Sequence, residues 1–155
     1  MARAGDELFN PLTGERIVFL KTAADTGGSL LEMDDFWTRP GHRAPEHVHP
    51  EIEERWQVLA GTAGFRVGGV ERTAGPGETV VAPAGVAHLA WNAAPEPVHV
   101  RIQMRPALGW EHFVERLFAL ARAHGEPERG APDPAEMLEL LRQFPREIAL
   151  APRHR

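Results

Sequence analysis

The stretch GHRAPEHVHPEIEERWQVLAG, residues 41–61, decides how this chain is read, together with GETVVAPAGVAHLAWN, residues 77–92. Between them they carry four candidate metal ligands, His47, His49 and Glu54 in the first and His88 in the second. Three neutral imidazoles and one carboxylate make a mixed nitrogen/oxygen donor set. Calcium and magnesium prefer all-oxygen shells, and thiophilic metals prefer cysteine. The set therefore suits one borderline divalent transition ion: iron, manganese, nickel, copper or zinc. His47 and His49 are two apart and project from the same face of a strand. Glu54 lies five beyond His49, and parity on an unbroken strand favours Glu51 or Glu53 instead. Pro50 marks an edge, an end or a bulge. A chain that breaks there lets Glu54 restart on the inner face, with Trp56 and Val58 following it inward.

Outward from these motifs, the first hundred residues read as short β-strands between Gly/Pro turns. Candidate strands cover 16–20, 29–37, 51–60, 63–70, 78–82, 87–91 and 98–105, with turns at Gly27-Gly28, Pro40-Gly41, Gly61, Gly68-Gly69, Gly75–Gly77, Pro83–Gly85 and Pro95–Pro97. Val98, Val100, Ile102 and Met104 alternate with His99, Arg101, Gln103 and Arg105, the period-2 pattern of a strand with one buried face. Many evenly spaced short strands favour a sandwich or barrel over a parallel α/β sheet. The fold class is mainly β.

The last third changes character. Trp110, Phe113, Val114, Leu117, Phe118 and Ala121 recur at helical spacing, and Gly125 is a natural stop. After a Pro/Gly-rich link, Asp133-Pro134-Ala135-Glu136 has the form of a helix start: Asp as N-cap, Pro in the first turn, Glu reaching back. Met137, Leu138, Leu141 and Phe144 stripe that helix, and Pro145 ends it. The expected organisation is a β-domain over 1–108 and a helical extension over 109–155 that packs on it and is not a domain of its own.

Composition narrows the function classes. The 155 residues suffice for one hydrophobic core, and the formal charge of -5 gives no general attraction to nucleic acid or anionic lipid. No apolar run approaches the ~20 residues that span a bilayer, and the N-terminus lacks a signal-peptide core, so a cytoplasmic location is expected. With no cysteine, disulfides, thiolate sites and cysteine nucleophiles are excluded. Ser29 is the single serine and tyrosine is absent, which removes a Ser/His/Asp hydrolase site and phenolic acid–base chemistry.

Spacing to Gly61 selects Glu54 over its acidic neighbours. The pattern Gly-x5-His-x-His-x4-Glu-x6-Gly, then Gly-x5-Pro-x-Gly-x2-His-x3-Asn, resembles the paired signature of the cupin superfamily. Gly41, His47, His49, Glu54 and Gly61, then Gly77, Pro83, Gly85, His88 and Asn92, fill all ten positions, with 15 residues between the motifs. The resemblance implies a jelly-roll antiparallel β-barrel, a homodimer, and convergence of His47, His49, Glu54 and His88 on one metal. It also implies a small-molecule substrate. Dioxygenase or other oxidoreductase chemistry stands ahead of isomerase or cyclase chemistry, and a non-catalytic ligand-binding or sensing module with a structural metal is the alternative. Glu54 is the one candidate for a catalytic role. Trp56, Val58, Phe65 and Gln103 are the candidate pocket lining, with Trp91, His99 and Arg101 as further possibilities. Asn92 is expected to serve in local hydrogen bonding.

Overall fold

A computed structural model describes residues 2–128 and 130–152. Its strands are β1 Glu7–Phe9, β2 Arg16–Lys21, β3 Leu31–Trp37, β4 His47–Val48, β5 Glu53–Ala60, β6 Ala63–Val67, β7 Val70–Ala74, β8 Thr79–Ala82, β9 His88–Asn92, β10 Val98–Arg105, β11 Gly125–Glu126, β12 Ala131–Pro132 and β13 Ala149–Leu150. The helices are α1 Ala23–Thr26, α2 Trp110–His124 and α3 Pro134–Arg142. Six strands form one antiparallel sheet in the order β1-β2-β3-β10-β5-β8, and five form a second, β13-β4-β9-β6-β7. Ring contacts across the gap, Trp56 on Phe65 and Trp37 on Phe65 at 5.2 and 6.5 Å, show that the sheets face each other. Among the described residues no strand pairing joins the two sheets, so the expected closed barrel is instead an open two-sheet sandwich. Prolines account for part of this: Pro50 stops β4 after two residues and Pro83 stops β8.

Alternation sets which residues look inward. β10 buries Val98, Val100, Ile102 and Met104 and turns His99, Arg101, Gln103 and Arg105 away. Its neighbours obey the same period: Leu31, Met33 and Asp35 from β3, and Glu54, Trp56 and Val58 from β5, lie on that inner face. The register aligns them in rows, Leu31–Met104–Glu54–Ala82 at one level and Met33–Ile102–Trp56–Val80 at the next.

Several boundaries differ from those expected by one or two residues, as in β3, which starts at Leu31 and not at 29, and two differences have a clear cause. The strand expected over 63–70 is a hairpin, with β6 and β7 meeting at Val67↔Val70 around Gly68 and Gly69. Both glycines have positive φ (57° and 83°), as a two-residue turn of this kind requires. The strand expected from 51 starts at Glu53, because the turn after Pro50 consumes the first residues. The short β1 and β13 carry too little pattern to be found from sequence.

α2 buries Trp110, Phe113, Val114, Phe118 and Ala121, the stripe its sequence spacing describes. Asp133 caps α3, its side chain accepting from the Glu136 amide at 3.2 Å. Glu136 does not reach back to complete the expected box; its carboxylate pairs with His124 Nδ1 at 2.9 Å, drawn across by the neighbouring helix end. Residues 153–155 of the expected extension lie outside the described residues. No helix among the described residues is long and apolar enough to cross a membrane.

Candidate metal centre

His47 stands on β4, His49 just beyond its end, Glu54 on β5 and His88 at the start of β9. Two of these elements belong to one sheet and one to the other, so the cluster sits between the sheets. Break and restart at Pro50 bring Glu54 to the inner face, while Glu51 is exposed and Glu53 half-buried. Ligand atoms from the four side chains all lie within 4.8 Å of one another. His49, Glu54 and His88 are buried and His47 half-buried, which makes His47 the open side.

The hydrogen bonds fix the tautomers. His47 Nδ1 meets the Pro45 carbonyl at 3.0 Å, His88 Nδ1 the Val86 carbonyl at 3.0 Å, and His49 Nδ1 the Glu147 carbonyl at 2.8 Å. A carbonyl only accepts, so each Nδ1 donates, and the Nε2 of each neutral ring is left as a bare lone pair. Nε2 of His49 and of His88 then stand 2.9 and 3.2 Å from Glu54 Oε1, itself an acceptor. Acceptors do not gather around acceptors in a buried space without a cation between them, whether a proton on an imidazole or a metal ion bound by all. The spacing accommodates either: it is an ordinary N–H···O length, and two donors each about 2.0–2.2 Å from one ion and at right angles around it also stand about 3 Å apart. The residues therefore fit a divalent transition ion.

The same crowding moves the titrations. Burial, then the neighbouring His88 and His49 rings, push the His47 imidazole down to about 4. Burial alone would raise Glu54, but the hydrogen bonds and charge of His49 and His88 outweigh it and hold the carboxyl well below the usual carboxylate range. Burial works against a charged His88 too, and there the Glu54 contact prevails and raises it.

Around the cluster, Trp110 from the first turn of α2 lies edge-on to His49 at 4.6 Å, and Trp56 lies edge-on to His88 at 5.4 Å. Trp56, Val58 and Phe65 are all on inner faces, at 2%, 0% and 0% exposure, as part of the core beside the site. Gln103 is not brought to it. Gln103 projects from the outer face of β10, donating to Glu32 at 2.7 Å, because it alternates with the inward Ile102 and Met104. Arg101 and His99 share that outer face: Arg101 forks onto Asp34 at 2.9 and 3.2 Å, and His99 stacks on Phe36 at 4.2 Å. Trp91 is outside as well, beneath the Arg43 guanidinium at 3.6 Å. Asn92 makes the expected local bonds, donating to the Glu96 carbonyl and accepting from the Ala94 amide, and also donates to the Trp37 carbonyl, 55 residues away on the other sheet.

Sequence reasoning missed four neighbours. The Pro45 and Val86 carbonyls lie two residues before the histidines they hold, a local relation that could have been anticipated. Glu147 is 98 residues from His49, and no local signal points to it. Asp35, on the inner face of β3, is 4% exposed with Oδ1 lacking a hydrogen-bond partner. Burial, and then the adjacent Glu15 carboxyl, raise it well above the usual carboxylate range, and burial raises Glu15 as well.

Residues 38–102 match the family described as Cupin domain. Among solved structures the fold is similar to KdgF from Halomonas sp., at 20% identity over 60% of this chain and 79% of that one, with a TM-score of 0.53. It is similar to an oxalate oxidase at 21% identity over 61% of this chain, with a TM-score of 0.52, where the match spans about half (52%) of the other chain. A sugar phosphate isomerase of the cupin superfamily from Silicibacter pomeroyi aligns at 18% identity over 64% and 70%, with a TM-score of 0.53. At such identities the likeness is one of fold. No curated protein matches the chain. Over residues 38–102 the chain matches the cupin domain, and the motif register and sheet order described above agree with that match.

Proposed function

We propose that the chain is a metal-dependent enzyme acting on a small oxygenated molecule, with His47, His49, Glu54 and His88 as the ligands of one divalent transition ion. The observation that carries this is the set of three imidazoles, each held at Nδ1 by a carbonyl, with the Nε2 atoms of His49 and His88 at 2.9 and 3.2 Å from Glu54 Oε1 and ligand atoms of all four side chains within 4.8 Å of one another. Bound there, such an ion supplies Lewis acidity toward a carbonyl or enolate oxygen and, when redox-active, access to dioxygen. The chain's own contribution is orientation and exclusion of water. Trp110 closes the His49 side, Trp56 and Phe65 present an apolar wall, and the half-buried His47 marks the side from which a substrate approaches. Oxidoreductase chemistry of dioxygenase or oxidase type stands ahead of isomerase or cyclase chemistry; the likeness in fold to an oxalate oxidase supports that order, and the likeness to a sugar phosphate isomerase keeps the second class in view. The family likeness also supports a homodimer.

The test is elemental analysis of the purified chain, followed by oxygen-uptake screening of small oxygenated compounds in air and by product analysis under nitrogen. Uptake with one cognate compound supports oxidative chemistry. Turnover under nitrogen moves the assignment to isomerisation or cyclisation, and an ion-free chain that takes up none of the five candidate metals refutes the proposal. The close packing of Trp56, Val58 and Phe65 favours one second reading, a metal that chiefly staples the two sheets. Glu54→Ala separates them: loss of turnover at unchanged thermal stability excludes stapling.

A further inference from the structure

Only one of the three imidazoles takes its orienting hydrogen bond from a distant part of the chain. His47 and His88 are held by carbonyls two residues away, whereas His49 depends on Glu147 in the tail that follows α3. That tail is fastened along its length. Ala149 and Leu150 pair with Val48 and His47, and the Ala151 amide donates to the Glu46 carbonyl at 3.1 Å. The Arg146 guanidinium forks onto Glu51 at 2.9 and 3.1 Å, and Phe144 and Ile148 are buried. The first ligand motif is therefore gripped by the end of the chain on both sides of His49.

We propose that residues 146–151 are a positioning element of the metal centre, selecting the tautomer of His49 so that tail docking and ion binding reinforce each other. The inference rests on the four-ligand reading above. Its physical basis is a competition at one ring. With the Glu147 carbonyl at 2.8 Å, the imidazole proton resides on Nδ1 and Nε2 is free to coordinate. With the tail undocked, Nδ1 loses that acceptor, and the proton is better placed on Nε2, donating to Glu54 Oε1 2.9 Å away. In that state His49 and Glu54 satisfy each other and two ligand atoms are consumed. Partners that orient a ligating histidine typically contribute 10–100-fold to metal affinity. By linkage, the ion strengthens tail docking by the same factor.

The experiment uses the full chain with Zn(II) alone, its affinity read by competition with a chromophoric chelator. It adds two variants: a chain ending at Phe144, and full-length Arg146→Glu, which sets like charges against each other at Glu51. Nitrogen-detected NMR reads the tautomer of each histidine, and hydrogen exchange reads the amides of 147–151 with and without zinc. The expected results are a ~10–100-fold weaker affinity on truncation, a smaller loss in Arg146→Glu, and a shift of His49 alone from Nδ1–H to Nε2–H. In the full chain, zinc should slow exchange across 147–151. A tail that merely adds stability would leave the His49 tautomer unchanged. Equal zinc affinity in the full chain and a folded truncated chain overturns the inference, as does unaltered tail exchange on adding zinc to the full chain, which needs no variant. A full chain that binds no zinc or other divalent ion sinks the four-ligand reading itself, a distinct result.

Discussion

Replacing Asp35 by asparagine should make the protein more stable at neutral pH and remove a specific pH dependence. Asp35 faces inward from β3 between Ile17 of β2 and Val100 of β10, its partners in register, and is 4% exposed. The titratable and charged groups acting on it are Glu15 and, more weakly, Glu54, both acidic. Among the described residues no cation offsets them, so the Asp35–Glu15 pair retains a proton that the unfolded chain releases near pH 4. The folded pKa being raised, the associated stability is fully present below the unfolded value of about 3.9 and is lost as pH rises through the folded one. Within that window one extra proton bound by the native state corresponds to about 1.4 kcal/mol of stability lost per pH unit. In Asp35→Asn the new side-chain amide offers Glu15 a permanent N–H donor and cannot ionise. At pH 8 the variant should exceed the parent by about 1–3 kcal/mol, the usual cost of one unsatisfied buried polar group. Urea unfolding of both proteins at several pH values between 5 and 8, in the same metal state, measures the difference directly. Parallel curves across that range, or a variant less stable at pH 8, would refute the assignment of a shared proton to this pair.

The inner and outer faces of β10 can be told apart by truncation. Ile102→Ala should cost about 2–4 kcal/mol by denaturant unfolding, whereas Gln103→Ala should cost under about 1 kcal/mol and leave zinc affinity unchanged. A Cβ at Gly64 would lie 2.2 Å from the Trp91 indole, so Gly64→Ala should destabilise by about 1–3 kcal/mol and alter the Trp91 environment in fluorescence. Glu54→Gln should weaken metal binding by more than the roughly 10–100-fold attributed to an outer partner, because it removes the one carboxylate of the four-residue cluster; equal affinity by chelator competition would exclude Glu54 from the proposed ligand set.

Much of the candidate site was legible because its four residues are carried by short motifs whose spacing survives folding. His47, His49 and His88 stand in register with turn residues that the chain must have in order to reverse, and Gly61 is an example. Its φ is 79°, and a Cβ there would meet the Pro97 carbonyl at 2.5 Å. Glu54 was less legible. Its face depended on Pro50 breaking the strand, which alternation alone would have read the other way. Gln103 was misassigned because its polarity suggested a pocket, while the alternation along Val98–Arg105 puts it outside. Asp35 escaped notice for the opposite reason: an acid in the run Leu31–Trp37 looks solvated until pairing on both sides encloses it. Contacts such as Glu147 to His49 arise from how the last helix returns to the sheet, and no local pattern encodes them.

The two-residue β13 has a further consequence for solubility. β4, which bears His47, would otherwise be the outermost strand of its sheet, with unpaired amides and carbonyls open to another molecule. β13 covers that border and is a poor template in turn, since it is short and the next residue but one is Pro152, which has no N–H to offer. A chain shortened before Ala149 would therefore present a bare border beside His47, and its first symptom in concentrated solution should be self-association through strand addition.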